Sequence, residues 1–587
     1  MKPMSAHLLL RLALTATLVV IPWPIASQSP QACEYWVAPA PEGDDGNPGA
    51  LDQPWATLNH ASESLPDDTC TVWFKDGVYT GANSLYERFT TLTTFKAVNP
   101  YQAILENSGP AVQLFGAYNM TFEGLVFQHT EPASSGLVVQ VQKSDDLWSE
   151  NITFRDNIFH DSYNNDLLKI NNGARFVTVE HNIFYNQQGS DEHMDVNSVT
   201  DITVQDNIFF NDFAGSGRVN GNDTSSFIVI KDSNAGDDGQ IGSERITIRR
   251  NVFLNWEGNS GSNFVLVGED GQPFYEAKVV LVENNLMLGN AGNDMRAAFG
   301  VKGGQDITFR NNTVVGDLPA LAYALRVNQE GLNLQNQNVY FYNNIWADPT
   351  GTMGAEAAGG VNEFSDGSPG EVSNLILDNN VYWNGGAAIP PGDLVSPLVN
   401  DARRVVADPL LNTDHTAIVL PRWNGSTFLS GNTTIRQEFE RLVNLYGQIP
   451  SNSPAIGGAD PAFAPTDDIL GRPRTAAPDL GAYQGNQWTL SGYADLTTIG
   501  LNWTDPGVPG AASLALTYTV GTLSTQVTGI LTPTRAYTLT NLLPYSLYTV
   551  TLTARDSTDG ILAQTNSIVL LTSDIHLFLP LLTKGGP

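Results

Sequence analysis

The chain is 587 residues long, enough for several domains; only 15% of it is charged, while glycine (54) and proline (33) abound, which suits an all-β protein with many tight turns. A formal charge of −32 argues against nucleic acid or an anionic membrane as partner. It also disfavours an acidic polymer as ligand, unless a local cationic groove or a bound metal reverses the sign.

The first segment, MKPMSAHLLLRLALTATLVVIPWPIAS (1–27), carries Lys2 and Arg11 with an apolar run over 8–20, then small residues at Ala26 and Ser27. This is the pattern of a secretory signal peptide cleaved near Ser27, and its apolar run is short for a membrane span. A secreted or cell-surface bacterial protein is expected. The only cysteines, Cys33 and Cys70, follow directly, and in an oxidising compartment one disulfide is expected between them.

The body of the chain is organised by a repeat. NITFRDNIF (151–159), FVTVEHNIF (176–184), DITVQDNIF (201–209), RITIRRNVF (245–253), VVLVENNLM (279–287), DITFRNNTV (306–314), NVYFYNNIW (338–346) and NLILDNNVY (374–382) share one pattern, with a degenerate copy at NMTFEGLVF (119–127). The shared asparagines, Asn157, Asn182, Asn207, Asn251, Asn285, Asn312, Asn344 and Asn380, are spaced by 25, 25, 44, 34, 27, 32 and 36 residues. Alternation at period two means a strand with one buried face. The Asn is expected to take the left-handed bend and to stack with its counterparts in a ladder. A unit of about 25 residues cannot bury its own face and must stack on its neighbours. These features predict a right-handed parallel β-helix over 34–400, the longer spacings being loops inserted at its corners.

YWVAPAPEGDDGNPGALDQPWATLNHA (35–61) followed by TVWFKDGVYTG resembles the N-terminal portion of secreted pectate-lyase-like β-helix proteins. SPAIGGADP (453–461) and DILGRPRTAAPDLGAYQG (468–485) resemble the segment that closes many bacterial surface β-helix proteins. A cap over 401–486, covering the open edge of the last coil, is expected from this. Beyond it, over 487–573, LNWTDP and YTLTNLLPYSLYTVTLTARD resemble a fibronectin type III domain, a β-sandwich in which Leu542, Pro544 and Tyr548 match the L-x-P-x-x-x-Y signature; Tyr548 is the expected corner tyrosine. The tail DIHLFLPLLTKGGP (574–587) is apolar with a basic end and is read as either a surface-attachment signal or a frayed or docked terminus.

The chemistry is expected around GSDEHMDVN (189–197). Aligned on the repeated Asn, Leu168 and Ile170 match Met194 and Val196, pointing inward, while Lys169 and Asp195 point outward. Lys231 then joins the column of Asn171 and Asn197, with Lys302 further on, and Arg326 joins the column of Lys169 and Asp195. Adjacent strands are about 4.8 Å apart, so these groups would line one outer face; a one-residue slip would turn them inward. Asp166 and Asp191 fall one coil apart at the preceding corner. Several carboxylates there repel one another unless a hard cation sits among them, and Ca²⁺ suits such oxygen ligands. Zinc suits them less, because His193 is the only local imidazole. Solvated turn acids are the bland alternative.

The order Asp166, Asp191-Glu192-x-x-Asp195, Lys231 resembles the calcium-and-lysine constellation of family 9 polysaccharide lyases, although Glu192 stands where that family more often has Asp. The resemblance implies Asp166, Asp191, Glu192 and Asp195 as Ca²⁺ ligands and Lys231 as the base of a β-elimination on a uronic-acid polymer. The base would need its pKa lowered, by the cation and neighbouring cations. Lys169, Arg218, Lys302 and Arg326 are the candidate binders of substrate carboxylates. Two alternatives stand beside this reading. One is a β-helix glycoside hydrolase using Asp191 with Asp195, or Asp237 with Asp238. The other is a non-catalytic, glycan-binding surface protein, with Trp256, Phe274 and Tyr275 stacking on sugars or packing beneath loops. An acidic polysaccharide is the expected partner, with the C-terminal region serving attachment and the protein acting as a monomer.

Overall fold

The computed structural model describes residues 33–573, save 131–133, 291–292, 317–322, 357–360, 451, 486–489, 505–510, 556, 558–560 and 566. The expected signal peptide (1–27) and tail (574–587) lie outside the described residues. Among the described residues no helix is long and apolar enough to cross a membrane.

Each coil, save those at the two ends, contributes one strand to each of three parallel sheets. Sheet one holds 12 strands, from Cys33–Val37 to Val372–Asp378; sheet two holds 12, from Gly77–Thr80 to Val405–Val406; sheet three holds 10, from Asn83–Leu85 to Ser365–Asp366. One full coil runs through Arg175–Glu180, Ile183–Tyr185 and Met194–Asn197, and the next begins at Thr200–Gln205. Every strand of these three sheets pairs in parallel with its counterpart one coil away, so residues 33–406 form a parallel β-helix. Cys33 and Cys70 are register partners on the first two strands of sheet one and form the expected disulfide.

The core follows from the repeat. In sheet one the inward positions are aliphatic or Phe, as with Val177 and Val179 beside Ile202 and Val204. In sheet two the middle residue points in, so Phe127, Phe159, Phe184, Phe209 and Phe253 stack with centroids 4.9, 4.6, 4.8 and 5.1 Å apart. Burying such rings supplies much of the hydrophobic driving force of each coil.

The Asn ladder forms, with one correction. Each Asn side chain links two coils: Asn207 Nδ2 donates to Val179 O (2.9 Å) and to Asn251 Oδ1 (3.0 Å), while its own Oδ1 accepts from Asn182 N (2.8 Å) and Nδ2 (3.0 Å). Asp401 terminates the ladder by accepting from Asn380 Nδ2 at 2.9 Å. The left-handed residue, however, is the one before the Asn: Asp156, His181, Asp206, Arg250, Asn284, Asn311, Asn343 and Asn379 all have φ between 51° and 62°. The Asn itself must keep its amide aimed along the helix axis to bridge coils, so its neighbour takes the bend. A second left-handed column lies six residues before the ladder and includes Asn119, Asn151, Phe176, Asp201, Arg245 and Val279.

The segment after 400 also departs from expectation. Rather than only capping the last coil, it runs back along the outer face of sheet two as a strap. Its helix Ile435–Leu442 buries Ile435, Phe439 and Leu442 in a cluster with Ile183, Tyr185, Ile208, Phe210 and Leu286. Ile435 N donates to Tyr101 OH at 3.3 Å, which ties the strap to an early coil. This explains why the sheet-two strands are apolar on both faces: Ile208–Phe210 is fully buried, inward against the core and outward against the strap. Residues 490–573 form antiparallel sheets around a separate core that includes Trp503, Leu542 and Tyr548. Tyr548 OH accepts from Leu543 N at 2.8 Å, the hydroxyl-to-loop contact expected of a corner tyrosine.

Candidate functional site

The site lies on sheet three, where the register pairs Leu168 with Met194, Lys169 with Asp195 and Ile170 with Val196, and in the next coil Asn197 with Lys231. Apolar inward positions of Met194–Asn197 anchor the strand and force Asp195 outward. Asp195 is fully buried all the same, with Lys169 and Asn197 against its carboxylate.

Asp166, Glu192 and Asp195 converge: each offers an oxygen within 4.8 Å of the others, and all three are buried. Asp191 is not part of this trio; it lies at its edge, half-buried. Lys169 Nζ bridges Asp195 Oδ2 at 2.5 Å and Asp166 Oδ2 at 3.3 Å. Asp166 Oδ1 accepts from Glu192 N at 3.1 Å. Glu192 Oε2 and Asp195 Oδ1 are buried and, among the described residues, accept no hydrogen bond. Orphaned acceptors of this kind are costly unless something fills the space between them.

Charge sharpens the point. Six carboxylates cluster here (Asp166, Asp191, Glu192, Asp195, Glu269, Asp270) against two ammonium groups, Lys169 and Lys231. Burial, reinforced by the neighbouring acids, pushes Glu192 well above the usual carboxylate range and Asp191 up to about 7; Asp166 is also raised, by burial and by Asp195. Asp195 is lowered: burial works against ionisation, but Lys231 and Lys169 outweigh it. An all-carboxylate donor set with two unfilled buried oxygens and excess negative charge fits a hard divalent cation such as Ca²⁺.

Lys231 is nearly buried, and its Nζ lies 2.6 Å from Glu269 Oε2 and 3.8 Å from Asp270 Oδ1. Burial would lower its pKa, but Asp195, Glu192, Glu269 and Asp270 together push it above the ordinary lysine value. This corrects the expectation of cationic company: the neighbours of Lys231 are mostly acids. Glu269 and Asp270 were missed in the sequence. Their signal was present, since GED (268–270) directly follows FVLV, the sheet-three strand one coil after IVIK.

The other candidate cations are also paired. Lys302 meets Glu330 at 2.9 Å, and Arg326 reaches Asp366 at 3.2 Å. Arg218 is an internal clamp: it donates to Asp161 (2.8 Å), Asn186 O, Ser162 O and Gln188 and stacks over Tyr163 at 3.9 Å. Its role is to hold the 211–226 loop, which its position in FAGSGR did not reveal. The expected open cationic face is therefore a row of internal ion pairs.

His193 is buried against Phe227, with its Nε2 3.0 Å from Asn211 Oδ1, and burial lowers its pKa to about 3; it packs rather than ligates. Asp238 Oδ1 and Oδ2 accept from Gln240 N and Asn234 Nδ2 within the 232–242 loop, a turn role for the Asp237–Asp238 pair. Trp256 is buried beneath a loop, with Nε1 donating to Asp294 O, and Phe274 and Tyr275 are half-buried.

No protein-family model matches the chain, and no curated protein matches it. Among solved structures, the GH136 lacto-N-biosidase from Eubacterium ramulus is 12% identical, with a TM-score of 0.42 over 64% of this chain and 67% of that one. A rhamnogalacturonan lyase is 13% identical, with a TM-score of 0.34 over 68% of this chain and 95% of that one. The FN1–FN3 domains of chicken CNTN1 match 14% of this chain at 16% identity and a TM-score of 0.14, and this chain spans only 30% of that fragment. Likenesses at these scores do not extend to chemistry.

Proposed function

We propose that the protein is an exported, carbohydrate-active β-helix that cleaves a uronic-acid polymer by β-elimination. The observation that carries this reading is the buried trio of Asp166, Glu192 and Asp195, two of whose oxygens have no hydrogen-bond partner among the described residues, beside the nearly buried Lys231. Asp166, Glu192 and Asp195 would hold a Ca²⁺, with Asp191 at the edge. When bound, the ion supplies a positive centre for a substrate carboxylate and for the enolate-like charge that develops as the C5 proton leaves. Lys231 Nζ is the proton acceptor. With Asp195 and Glu192 engaged in ligation, two of the four acids that hold Lys231 protonated are neutralised, leaving Glu269 and Asp270 to orient the amine. Lys169 keeps Asp166 and Asp195 in place through its two contacts. The fibronectin-type module and the 574–587 tail serve attachment at the cell surface.

β-Elimination leaves a conjugated double bond. Incubation with polygalacturonate and Ca²⁺ is expected to raise ultraviolet absorbance, and a chelator or Lys231→Ala to abolish the rise. Activity that survives Lys231→Ala overturns the assignment of the base.

A second reading is favoured by the internal pairing of the sheet-three cations. If Lys231 stays locked to Glu269, the face binds glycans without turning them over. Retention of the polymer with neither new absorbance nor new reducing ends would establish that reading, while new reducing ends without absorbance would point to hydrolysis.

A further inference from the structure

The outer face of sheet one carries a feature that the sheet-three site does not use. Thr121, Thr153, Thr178, Thr203 and Thr247 are register partners on successive strands, all pointing outward in one straight row. Five strands at about 4.8 Å spacing make a row roughly 19 Å long. Thr121 is buried at one end and the other four are half-buried, and among the described residues their hydroxyls make no hydrogen bond. The row is the floor of a shallow groove of about 920 Å³.

Both walls are already satisfied. On one side Arg155 pairs with Glu123 at 2.6 Å, and Gln205 Nε2 donates to Glu180 at 2.8 Å. On the other, Asn151 Nδ2 donates to Asn119 Oδ1 at 3.1 Å, and Arg245 pairs with Asp201 at 2.7 Å. The charged groups lining the groove are two cations, Arg155 and Arg245, and two anions, Glu180 and Asp201. On a chain of net charge −32 this face is locally neutral.

Val279 shares the left-handed backbone conformation of this wall outside the groove; within the groove, one apolar residue interrupts the polar column. Phe176 occupies the left-handed column between Asn151 and Asp201, with φ of 53° and 52% of its surface exposed. That conformation suits Asn and Asp and strains a bulky residue. A phenyl ring cannot join the polar ladder of the wall, and it is not buried in exchange. Strain without a packing return marks a residue kept for contact with something else.

We infer that this groove is a second glycan site, which takes a neutral, extended polysaccharide along the helix axis. The row of hydroxyls offers evenly spaced donors and acceptors to sugar hydroxyls, the threonine methyls offer apolar contact, and Phe176 offers a face for a pyranose ring. A polyanion gains nothing here, because the cations are matched by anions. The site is on a different sheet from the acid trio and stands whether or not that trio is catalytic. Its role is to hold the protein on a neutral polymer.

The test uses the full-length protein with insoluble cellulose and insoluble chitin, and polygalacturonate as the charged comparison. The wild type is expected to be retained on at least one neutral polymer. Phe176→Asn is expected to weaken retention roughly tenfold while leaving the melting temperature equal or higher, since Asn suits the backbone and can complete the wall. Thr178→Arg, which blocks the floor, is expected to weaken retention as well. Both variants should leave any polygalacturonate cleavage unchanged. Absence of retention on both neutral polymers overturns the inference, as does retention unaffected by both variants. A marked loss of stability in Phe176→Asn also overturns it, because Phe176 would then be structural.

Discussion

Lys231 Nζ lies 2.6 Å from Glu269 Oε2, on the sheet-three coil that follows its own. The pair joins the proposed base to an acid that raises its proton affinity. Glu269→Gln should therefore lower the pKa of Lys231. A lysine base works only when neutral, so the acid limb of the pH–activity profile should move to lower pH. A profile that does not move would remove Glu269 from the proposed mechanism.

The orphaned oxygens of Glu192 and Asp195 make a separate claim about metal. Ca²⁺ added to the metal-free protein should raise its melting temperature by mass action, since the ion binds the folded state. Asp195→Asn should remove most of that increment. Calorimetric titration of Ca²⁺ into both proteins checks this without any substrate.

Asn207 makes four ladder contacts in the buried corner. Asn207→Ala removes them and leaves the buried backbone N–H of Asn182 unpaired, while Asn182 Nδ2 keeps Phe154 O and Glu180 O; the loss should cost about 3 kcal/mol. Urea unfolding monitored by circular dichroism measures it. A loss below about 1 kcal/mol would mean that the strand ladders alone hold the corner.

The strap depends on its helix. Phe439 is fully buried between Ile435–Leu442 and sheet two. Phe439→Ala should cost about 3–5 kcal/mol, and the loss should appear first as strap release. Limited proteolysis should then cut within 401–470 before the β-helix itself is attacked.

Asp479, in the strap, has a pKa pushed from 3.8 to about 6, chiefly by burial. Between those values the folded state holds the proton more tightly than the unfolded chain does. Its contribution to stability therefore falls as pH rises from about 4 to about 6 and is level above that. Asp479→Asn carries no titrating proton, so its stability relative to the wild type should rise across this window. Melting curves at pH 4, 5, 6 and 7 give the comparison.

Much of this was legible in the primary structure because a parallel β-helix is nearly one-dimensional. The phrase ending in Asn197, the register of Lys169 with Asp195, and the register of Asn197 with Lys231 follow from a repeat in which each coil meets only its neighbours. The double-sided apolar strands such as Ile208–Phe210 were visible too, but what covers their outer face was not, because the covering helix comes some 230 residues later. Likewise the residue-before-Asn bend and the strained Phe176 are backbone facts that identity alone does not disclose.

The amino-acid order by itself determined the coil, the inward columns and the nearness of Asp166 to the 191–195 acids, since each depends on period and register; that Asp191 stays at the edge while Glu192 joins Asp166 and Asp195 was decided by the fold. Tertiary structure alone decided which charges are available. Lys231, Lys302, Arg326 and Arg218 all look free in a linear reading, and each is paired by an acid supplied from another coil or loop. The physical reason is that strand spacing places a side chain within one coil, whereas its charge and exposure are set by which acids the neighbouring coils bring against it: Asp366 from the next strand for Arg326, and Glu269, Glu330 and Asp161 from the turns beyond strands for the others.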